Sequence, residues 1–305
     1  MSRGMRKKTY LIFGAIIATL TLCIAVFLFY SYGTLTKTTD DIYRPIERTH
    51  PSVHRPEPAL VEEHDPISFL LLGLDSEDET LGRTDTLIVA TVNQTTPSIQ
   101  MLSIPRDTRT EIIGHNTIDK INHAHAFGGA DMTVETVESL LDIPIDYVVT
   151  INMQGFTDLI DAVDGITVTN SFSFEYGGFE FLEGPTELSG EEALAYVRMR
   201  YEDPLGDSGR NIRQRQVIES FLKEIVQFPS ISKINEIFTT VRDNVETNLT
   251  LSEMIDLFAY EPSRHHIEQH TLQGTGTYKD GIYYLLVSDE ELEKQSNKLK
   301  KHLEL

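Results

Sequence analysis

Arginine is distributed unevenly along this chain. Three short segments hold eight of the fifteen arginines, although the 305-residue protein carries a net charge of −21. The segments are GRTDT (Arg83), IPRDTR (Arg106, Arg109) and VRMRYEDPLGDSGRNIRQRQ (Arg198, Arg200, Arg210, Arg213, Arg215). Guanidinium groups offer fixed, planar donors that match phosphate oxygens. Because an acidic protein repels anions overall, these clusters predict a local site that holds a phosphate-bearing ligand.

Two aspartates near these arginines indicate that a metal ion shares the site. Asp75 directly follows the apolar run Ile67–Leu74, and Asp85 lies two residues after Arg83. Ligands of open α/β sheets bind at the carboxyl ends of strands. Carboxylate and phosphate oxygens together suit Mg²⁺, with Mn²⁺ as an alternative. The other interpretation is that Asp75 is a turn residue and that Asp85 pairs with Arg83.

The third arginine segment opens a long predicted helix. Apolar residues from Ile218 onward mark its inward face, and steps of four back from Ile218 reach Gln214 and then Arg210. Both side chains should therefore point inward near the helix N-terminus, which favours anions. Arg213 is predicted beside that face, and Arg215 is predicted to point more outward. The alternative is an exposed helix whose arginines pair with surrounding acidic residues.

The remaining polar candidates are less distinctive. Arg198 and Arg200 lie at the end of the preceding predicted helix, where the helix dipole alone would favour cations. Arg106 follows a predicted strand, as Asp75 does, and Asn122 is a weaker candidate in the segment Lys120-Ile121-Asn122. The sequence contains neither GxxxxGK[ST] nor GxSxG, and the SxxK match at 230–233 lacks its companion motifs. Two histidine groups (115, 123, 125 and 265, 266, 270) lack a zinc-site pattern and are interpreted as exposed loop residues.

Hydrophobic patterning predicts an α/β fold in which helices flank a layered central β-sheet. The predicted strands lie at 67–74, 86–92, 99–104, 145–151, 166–169 and 282–287. The predicted helices lie at 132–141, at 156–163, from 189 onward, at about 208–228, near 230–240, near 251–259 and at 289–305. In the helix that begins at Ser189, Glu192 completes a capping box.

The N-terminal part predicts a membrane anchor. Leu11 to Tyr30 is a stretch of twenty residues without a charge, about the length of a bilayer-spanning helix, and basic residues precede it. We therefore predict a cytoplasmic N-terminus at 1–10, an uncleaved transmembrane helix at 11–30, an extracellular linker at 31–65 and an extracellular catalytic domain at 66–305. This is a single-pass type II arrangement in the cell membrane. A cleaved signal peptide is the competing interpretation, but the apolar run exceeds the roughly 7–15 residues of the apolar core of a signal peptide.

Charge limits the expected partners, and cysteine content limits the ways in which the domain can be stabilised. Residues 1–30 contain four basic residues and no acidic one, so the remainder carries −25. Nucleic acid is not an expected partner, because its binding depends on basic surfaces that release counterions. The only cysteine, Cys23, lies in the predicted membrane span. The external domain therefore has no disulfide and must be held together by its core.

The ordered motifs resemble a known family. LLLGLDSEDETLGRTDTLIVATVN is followed by SIPRDT, KINHAHAFGG and EEALAYVRMRYEDPLGDSGRNIRQRQ. Over residues 66 to about 260 this combination resembles the LytR-CpsA-Psr family, and within it most closely the Gram-positive wall teichoic acid transferases. The resemblance implies an extracytoplasmic phosphotransferase. Such an enzyme moves a glycopolymer from an undecaprenyl-pyrophosphate carrier to the C6 hydroxyl of N-acetylmuramic acid in peptidoglycan.

The resemblance also implies roles for individual residues. Asp75 and Asp85 would hold Mg²⁺ against the pyrophosphate, and Asp207 would orient Arg210 or assist proton removal. The pyrophosphate-contacting positions would be Arg83, Arg106, Arg198, Arg200, Arg210 and Gln214. The general base stays open between Asp85 and Asp207. The alternatives are hydrolysis of the lipid pyrophosphate, transfer of capsular polysaccharide, and a non-catalytic polyprenyl-lipid-binding or regulatory module.

Overall fold

The computed structural model describes residues 42–46, 52, 54–55, 57–76, 82–225, 237, 239–257, 260, 263 and 265–305. The predicted membrane helix at 11–30 lies outside these residues, as does most of the helix expected near 230–240. Within the described residues, no helix combines the length and the apolar character needed to cross a bilayer. The membrane anchor therefore stays a prediction.

The described residues form a mixed α/β fold. The strands are β1 (Ile67–Leu74), β2 (Thr84–Asn93), β3 (Ser98–Ser103), β4 (Arg109–Ile112), β5 (Thr117–Lys120), β6 (Tyr147–Ile151), β7 (Ile166–Asn170), β8 (Phe174–Tyr176), β9 (Phe179–Phe181), β10 (Gly184–Leu188), β11 (Val245–Thr247), β12 (Ile267–Thr271), β13 (Thr275–Lys279) and β14 (Ile282–Leu286). The helices are α1 (His123–Leu141), α2 (Met153–Ala162), α3 (Gly190–Arg198), α4 (Asp207–Ile225), α5 (Leu251–Asp256) and α6 (Asp289–His302). Each strand predicted from sequence is present, with ends that differ by at most two residues.

Six strands form the central sheet, in the order β11-β6-β1-β2-β3-β12. Strand β1 runs antiparallel to β2 and parallel to β6, while β3 runs antiparallel to β2 and parallel to β12. As a result β1, β3, β6 and β12 all end at one edge of the sheet, and β2 begins there. We call this the upper edge. The small two-stranded sheets β4-β5, β7-β10, β8-β9 and β13-β14 lie outside the central sheet.

Helices cover both faces of the central sheet, because its strands carry apolar side chains on both sides. On one face, Leu70 and Leu102 share a buried cluster with Val137 of α1 and Leu299 of α6. On the other face, the cluster of Ile67, Ile88 and Met101 is covered in part by apolar side chains of α4. A third cluster joins α2, α3 and α4 to β7. The expected arrangement, a central sheet flanked by helices, is confirmed.

Helix α1 begins nine residues earlier than the sequence predicts. Its first segment starts at His123, and a break in helical geometry at Gly128 and Gly129 separates it from the segment recognised by periodicity. Gly129 has φ +66°, a left-handed conformation that favours glycine. The early start corrects one interpretation: His125 is not an exposed loop residue, but a helical residue that is 2% exposed.

The C-terminal helix α6 is held to the sheet by a buried histidine. The Nδ1 atom of His302 lies 2.7 Å from Thr91 Oγ1, and its Nε2 atom lies 2.9 Å from Ser98 Oγ. Asn93 adds a hydrogen bond from its side-chain nitrogen to the carbonyl of His302. Burial lowers the pKa of His302 below its ordinary value of 6.5. The imidazole is therefore neutral at neutral pH, which suits contacts with two hydroxyl groups.

Candidate functional site

The upper edge of the sheet brings the first two arginine segments together. Asp75 follows the end of β1, and its backbone N–H donates to the carbonyl of Arg83 just before β2 (3.2 Å). The register of β2 and β3 pairs Ile88 with Ser103. Asp85 lies three residues before Ile88, and Arg106 lies three residues after Ser103 in the turn that follows β3, so both lie at this end of the paired strands.

An ion pair joins Asp85 and Arg106. Arg106 Nη1 donates to Asp85 Oδ1 at 2.5 Å, and the two side chains are 24% and 30% exposed. The sequence analysis gave an ion pair between Asp85 and Arg83 as the alternative to a metal site. The structure pairs Asp85 with Arg106 instead. Arg83 itself lies exposed beside them. An exposed cation next to a half-buried pair suits a site that receives an anion from solvent.

The neighbouring residue Asp107 extends this charged group. Lys120 Nζ lies 2.6 Å from Asp107 Oδ1, while Arg106 Nε lies 3.9 Å from Asp107 Oδ2. The sequence analysis did not assign Lys120 to the site. The one signal for it was its position at the start of the motif KINHAHAFGG. The Lys120 ammonium group is the closer partner of the Asp107 carboxylate, and Asp85 is the closer partner of Arg106.

The upper edge offers a partial set of metal ligands. Asp75 and Asp85 supply carboxylate oxygens at adjacent strands, and Asp75 is exposed. The described residues contain no group of three or more histidine, cysteine, aspartate or glutamate side chains placed to hold a metal. Mg²⁺ commonly uses only one or two carboxylates and takes its other ligands from water and substrate phosphates. The donor set therefore fits a metal that arrives with a phosphate ligand.

The start of α1 supports the Arg83 loop. His125 Nδ1 lies 3.0 Å from the carbonyl of Gly82, and burial lowers the pKa of this histidine. Asn122, directly before α1, donates its backbone N–H to the carbonyl of Arg106 (3.3 Å). The beginning of one helix thus touches the backbone of both arginine segments at the upper edge.

The start of α4 carries the third segment. Asp207 is the first residue of this helix, and Arg210 and Gln214 are 6% and 9% exposed. Their inward orientation was predicted from the four-residue spacing and is confirmed. Arg198 ends α3 and is exposed, and Arg200 follows it in the turn that leads toward α4.

Arg213 anchors the turn between α3 and α4. It is 4% exposed, and it donates from Nε to the carbonyl of Tyr196 (2.9 Å) and from Nη2 to the carbonyl of Met199 (2.5 Å). Its Nη1 atom forms a buried ion pair with Asp203. The guanidinium also lies 5.5 Å from the ring centroid of Phe174. These contacts are structural, because the groups that accept from Arg213 are all buried.

Arg215 corrects the sequence analysis. It was predicted to point more outward, but it is 4% exposed. Its Nη1 atom donates to Ser103 Oγ (2.6 Å) and Thr271 Oγ1 (2.9 Å), and its Nε donates to Gln269 Oε1 (3.3 Å). Burial lowers its pKa to about 10, so it stays protonated at neutral pH. Because Ser103 ends β3 three residues before Arg106, this contact brings α4 to the upper edge.

Comparison with known proteins identifies the family of this chain. The LytR_cpsA_psr family model matches residues 29–301. A protein of Halalkalibacterium halodurans named polyisoprenyl-teichoic acid–peptidoglycan teichoic acid transferase TagU is 48% identical over 302 residues, which cover 98% of this chain and 99% of the relative. The crystal structure of Bacillus subtilis TagU is 47% identical, with a TM-score of 0.67 over 79% of this chain and 98% of that one.

A second solved structure, described as a transcriptional regulator from Enterococcus faecalis, is 41% identical. Its TM-score is 0.74, and the match covers 81% of this chain and 91% of that chain. These matches extend over nearly all of the sequence or most of the fold. The chain therefore belongs to the LytR_cpsA_psr family.

Proposed function

We propose that this protein is a transferase that moves a teichoic acid from a polyisoprenyl-linked carrier to peptidoglycan. Full-length relatives at 48% and 45% identity carry that activity in their names. The single structural observation that supports the proposal most is the pairing of Asp85 with Arg106 at the upper edge, beside the exposed Arg83. This is the place where the family resemblance puts a lipid-borne pyrophosphate.

The arrangement suits phosphoryl transfer, in which positioning and charge neutralisation do most of the work. Arg83 and Arg106 would bind the pyrophosphate oxygens from the strand side, and Arg210 and Gln214 from the start of α4. Arg198 and Arg200 would contribute from the end of α3. The acceptor hydroxyl attacks the phosphorus distal to the carrier, a new P–O bond forms, and the bond to the bridging oxygen breaks. The electron pair leaves with the polyprenyl phosphate, and the hydroxyl proton passes to a carboxylate, Asp85 or Asp207.

A metal ion would complete this site. Asp75 and Asp85 would hold Mg²⁺, or Mn²⁺, together with phosphate oxygens of the donor. When bound, such an ion withdraws charge from the phosphoryl group and the leaving oxygen. Asp85 can take part while it pairs with Arg106, because an ionised carboxylate has about four acceptor positions on its two oxygens.

We further propose the type II topology, with residues 1–10 in the cytoplasm and the domain from residue 66 onward outside. A polyprenyl-linked donor lies in the membrane, so a tethered enzyme meets its substrate without diffusing from solution. No ATP is available outside the cell, which fits a donor that already carries its activated phosphate bond.

The test is a transfer assay with the full-length protein in detergent. A radiolabelled lipid-linked teichoic acid precursor is incubated with purified peptidoglycan, with and without Mg²⁺, and label bound to peptidoglycan is counted. We expect label transfer by the wild-type protein and about 100–1,000-fold less by Arg106→Ala, with exposed Arg44→Ala as the matched control. Release of free phosphorylated polymer would instead identify a lipid pyrophosphate hydrolase. Binding of the donor without any product would identify a non-catalytic module. Faster transfer from a lipid-linked capsular polysaccharide would identify that polymer as the substrate.

A further inference from the structure

The side chain of Asn122 is buried at the site without a hydrogen-bond partner. The residue is 5% exposed, and its Oδ1 atom accepts no hydrogen bond within the described part of the chain. It occupies the position directly before α1, where asparagine normally caps the helix with its side chain. No such cap is formed here. A buried polar atom without a partner costs folding free energy, so a reason for keeping it must lie elsewhere.

A second asparagine in the same position shows what the side chain could do. Asn152 precedes α2 and is 2% exposed. Its Oδ1 accepts from the backbone N–H of Gly155 (2.8 Å), and its Nδ2 donates to Asn244 Oδ1 (2.8 Å). The two asparagines share residue type, helix position and burial. Of these two, Asn122 is the one whose carboxamide oxygen accepts no hydrogen bond within the described residues.

The surroundings of Asn122 place it at the upper edge. Its backbone N–H contacts the carbonyl of Arg106, and one turn later His125 contacts the carbonyl of Gly82, next to Arg83. Two further buried hydroxyl oxygens without partners among the described residues, those of Thr84 and Thr108, are close in sequence to Asp85 and Arg106. Unused polar groups thus gather where an anion is expected.

We propose that the Asn122 carboxamide contacts both reactants of the transfer. Its Nδ2 donates a hydrogen bond to a non-bridging oxygen of the transferred phosphoryl group, and its Oδ1 accepts the hydrogen bond of the acceptor hydroxyl while the acceptor binds. The hydroxyl then turns to Asp85 or Asp207, the carboxylate that takes its proton during transfer. A carboxamide is suited to this pair, since it has a donor and an acceptor on one rigid plane. A guanidinium could not accept, and a carboxylate could not donate. The inference rests on the proposed function and assigns no proton transfer to Asn122.

The test combines activity with stability in the full-length protein. Asn122→Ala and Asn122→Asp are compared with wild type in the label-transfer assay, at varied acceptor concentrations. Loss of one preorganised donor at a reacting phosphoryl group predicts a drop in kcat of about 100-fold. Asn122→Asp should in addition weaken binding of the lipid-linked donor, because it places a negative charge beside the phosphate. Thermal unfolding of Asn122→Ala and of Asn152→Ala supplies the second readout.

The stability readout separates a substrate contact from a structural role. Asn122→Ala should unfold at the wild-type temperature or above, because it removes an unpaired polar group. Asn152→Ala should unfold about 2–4 °C lower, because it removes a working helix cap. Transfer by Asn122→Ala within threefold of wild type would overturn the inference, and so would a lowered unfolding temperature that accounts for its lost activity. If the wild-type protein itself transfers no label, the proposed function fails instead.

Discussion

The buried pair of Arg213 and Asp203 should be the main support for the third arginine segment, and Asp203→Asn tests this. The side chains are 5% and 2% exposed. The substitution keeps size and shape but removes the charge that neutralises a buried guanidinium. Two carbonyl acceptors remain for Arg213, so the cation stays in place without its counter-charge. Removing one partner of a buried pair costs about 3–5 kcal/mol.

This magnitude has a measurable consequence. For a domain of this size, each kcal/mol lowers the unfolding temperature by about 2–4 °C, so a drop on the order of 6–20 °C is expected. The matched control is Asp142→Asn. Asp142 pairs with Lys300 at the surface, where the two side chains are 64% and 30% exposed, and such pairs are worth about 1 kcal/mol or less. Calorimetry of both variants gives the comparison.

The reasoning would be refuted if Asp203→Asn cost no more than Asp142→Asn. A second consequence concerns the site, because the same pair fixes the turn that leads from Arg200 to Arg210. Donor affinity should therefore fall in Asp203→Asn even at temperatures where the variant is fully folded. Unchanged donor binding in the folded variant would show that this turn does not position the arginines.

Four further outcomes are expected. Arg106→Ala should lower transfer about 100–1,000-fold while the fold persists, which activity and circular dichroism together check. Asp75→Ala should raise the Mg²⁺ concentration needed for half-maximal transfer, and an unchanged titration would remove this residue from the metal site. Gly209→Ala should destabilise by about 1–3 kcal/mol in denaturant unfolding, because the added methyl group would collide with the Asp203 carboxylate. The lowered pKa of His302 means that its contribution to stability is complete above about pH 6.5 and is lost as the pH falls toward the folded-state value. His302→Gln should flatten the pH dependence of the unfolding temperature below pH 6.5, and an equally steep decline would contradict the assignment.

Short-range patterns predicted the parts of the site that depend on one element. The spacing of Arg210, Gln214 and Ile218 gave their shared inward face, because helical periodicity is a local property. The apolar run at 67–74 likewise placed Asp75 at the end of a buried strand. Both predictions needed only the geometry of a single helix or strand.

Predictions that depended on partners distant in sequence were wrong or incomplete. Arg215 was placed outward because no apolar residue marked its side of α4, yet that side faces hydroxyl and amide groups 54 to 112 residues away. The pairing of Asp85 with Arg106 depends on the antiparallel packing of β2 against β3, which brings the start of one strand to the end of the other. The hairpin of β13 and β14 was seen only in part, because Thr275–Lys279 is largely exposed and lacks an alternating apolar pattern. Tertiary contacts decide such positions, and one sequence does not display them.

The hydrogen-bond partners of Arg215 are all uncharged, and this affects how the protein should respond to ionic strength. Salt largely screens the attraction between exposed charges that are more than about 8 Å apart under physiological conditions, but mobile ions do not enter a protein interior. The charge of Arg215, enclosed beneath the ends of β3 and β12, is screened much less by salt than an exposed charge is. Capture of an anionic headgroup should therefore vary less with sodium chloride than a count of arginines would suggest. A largely acidic protein can in this way continue to attract phosphate at this site over a range of salt concentrations.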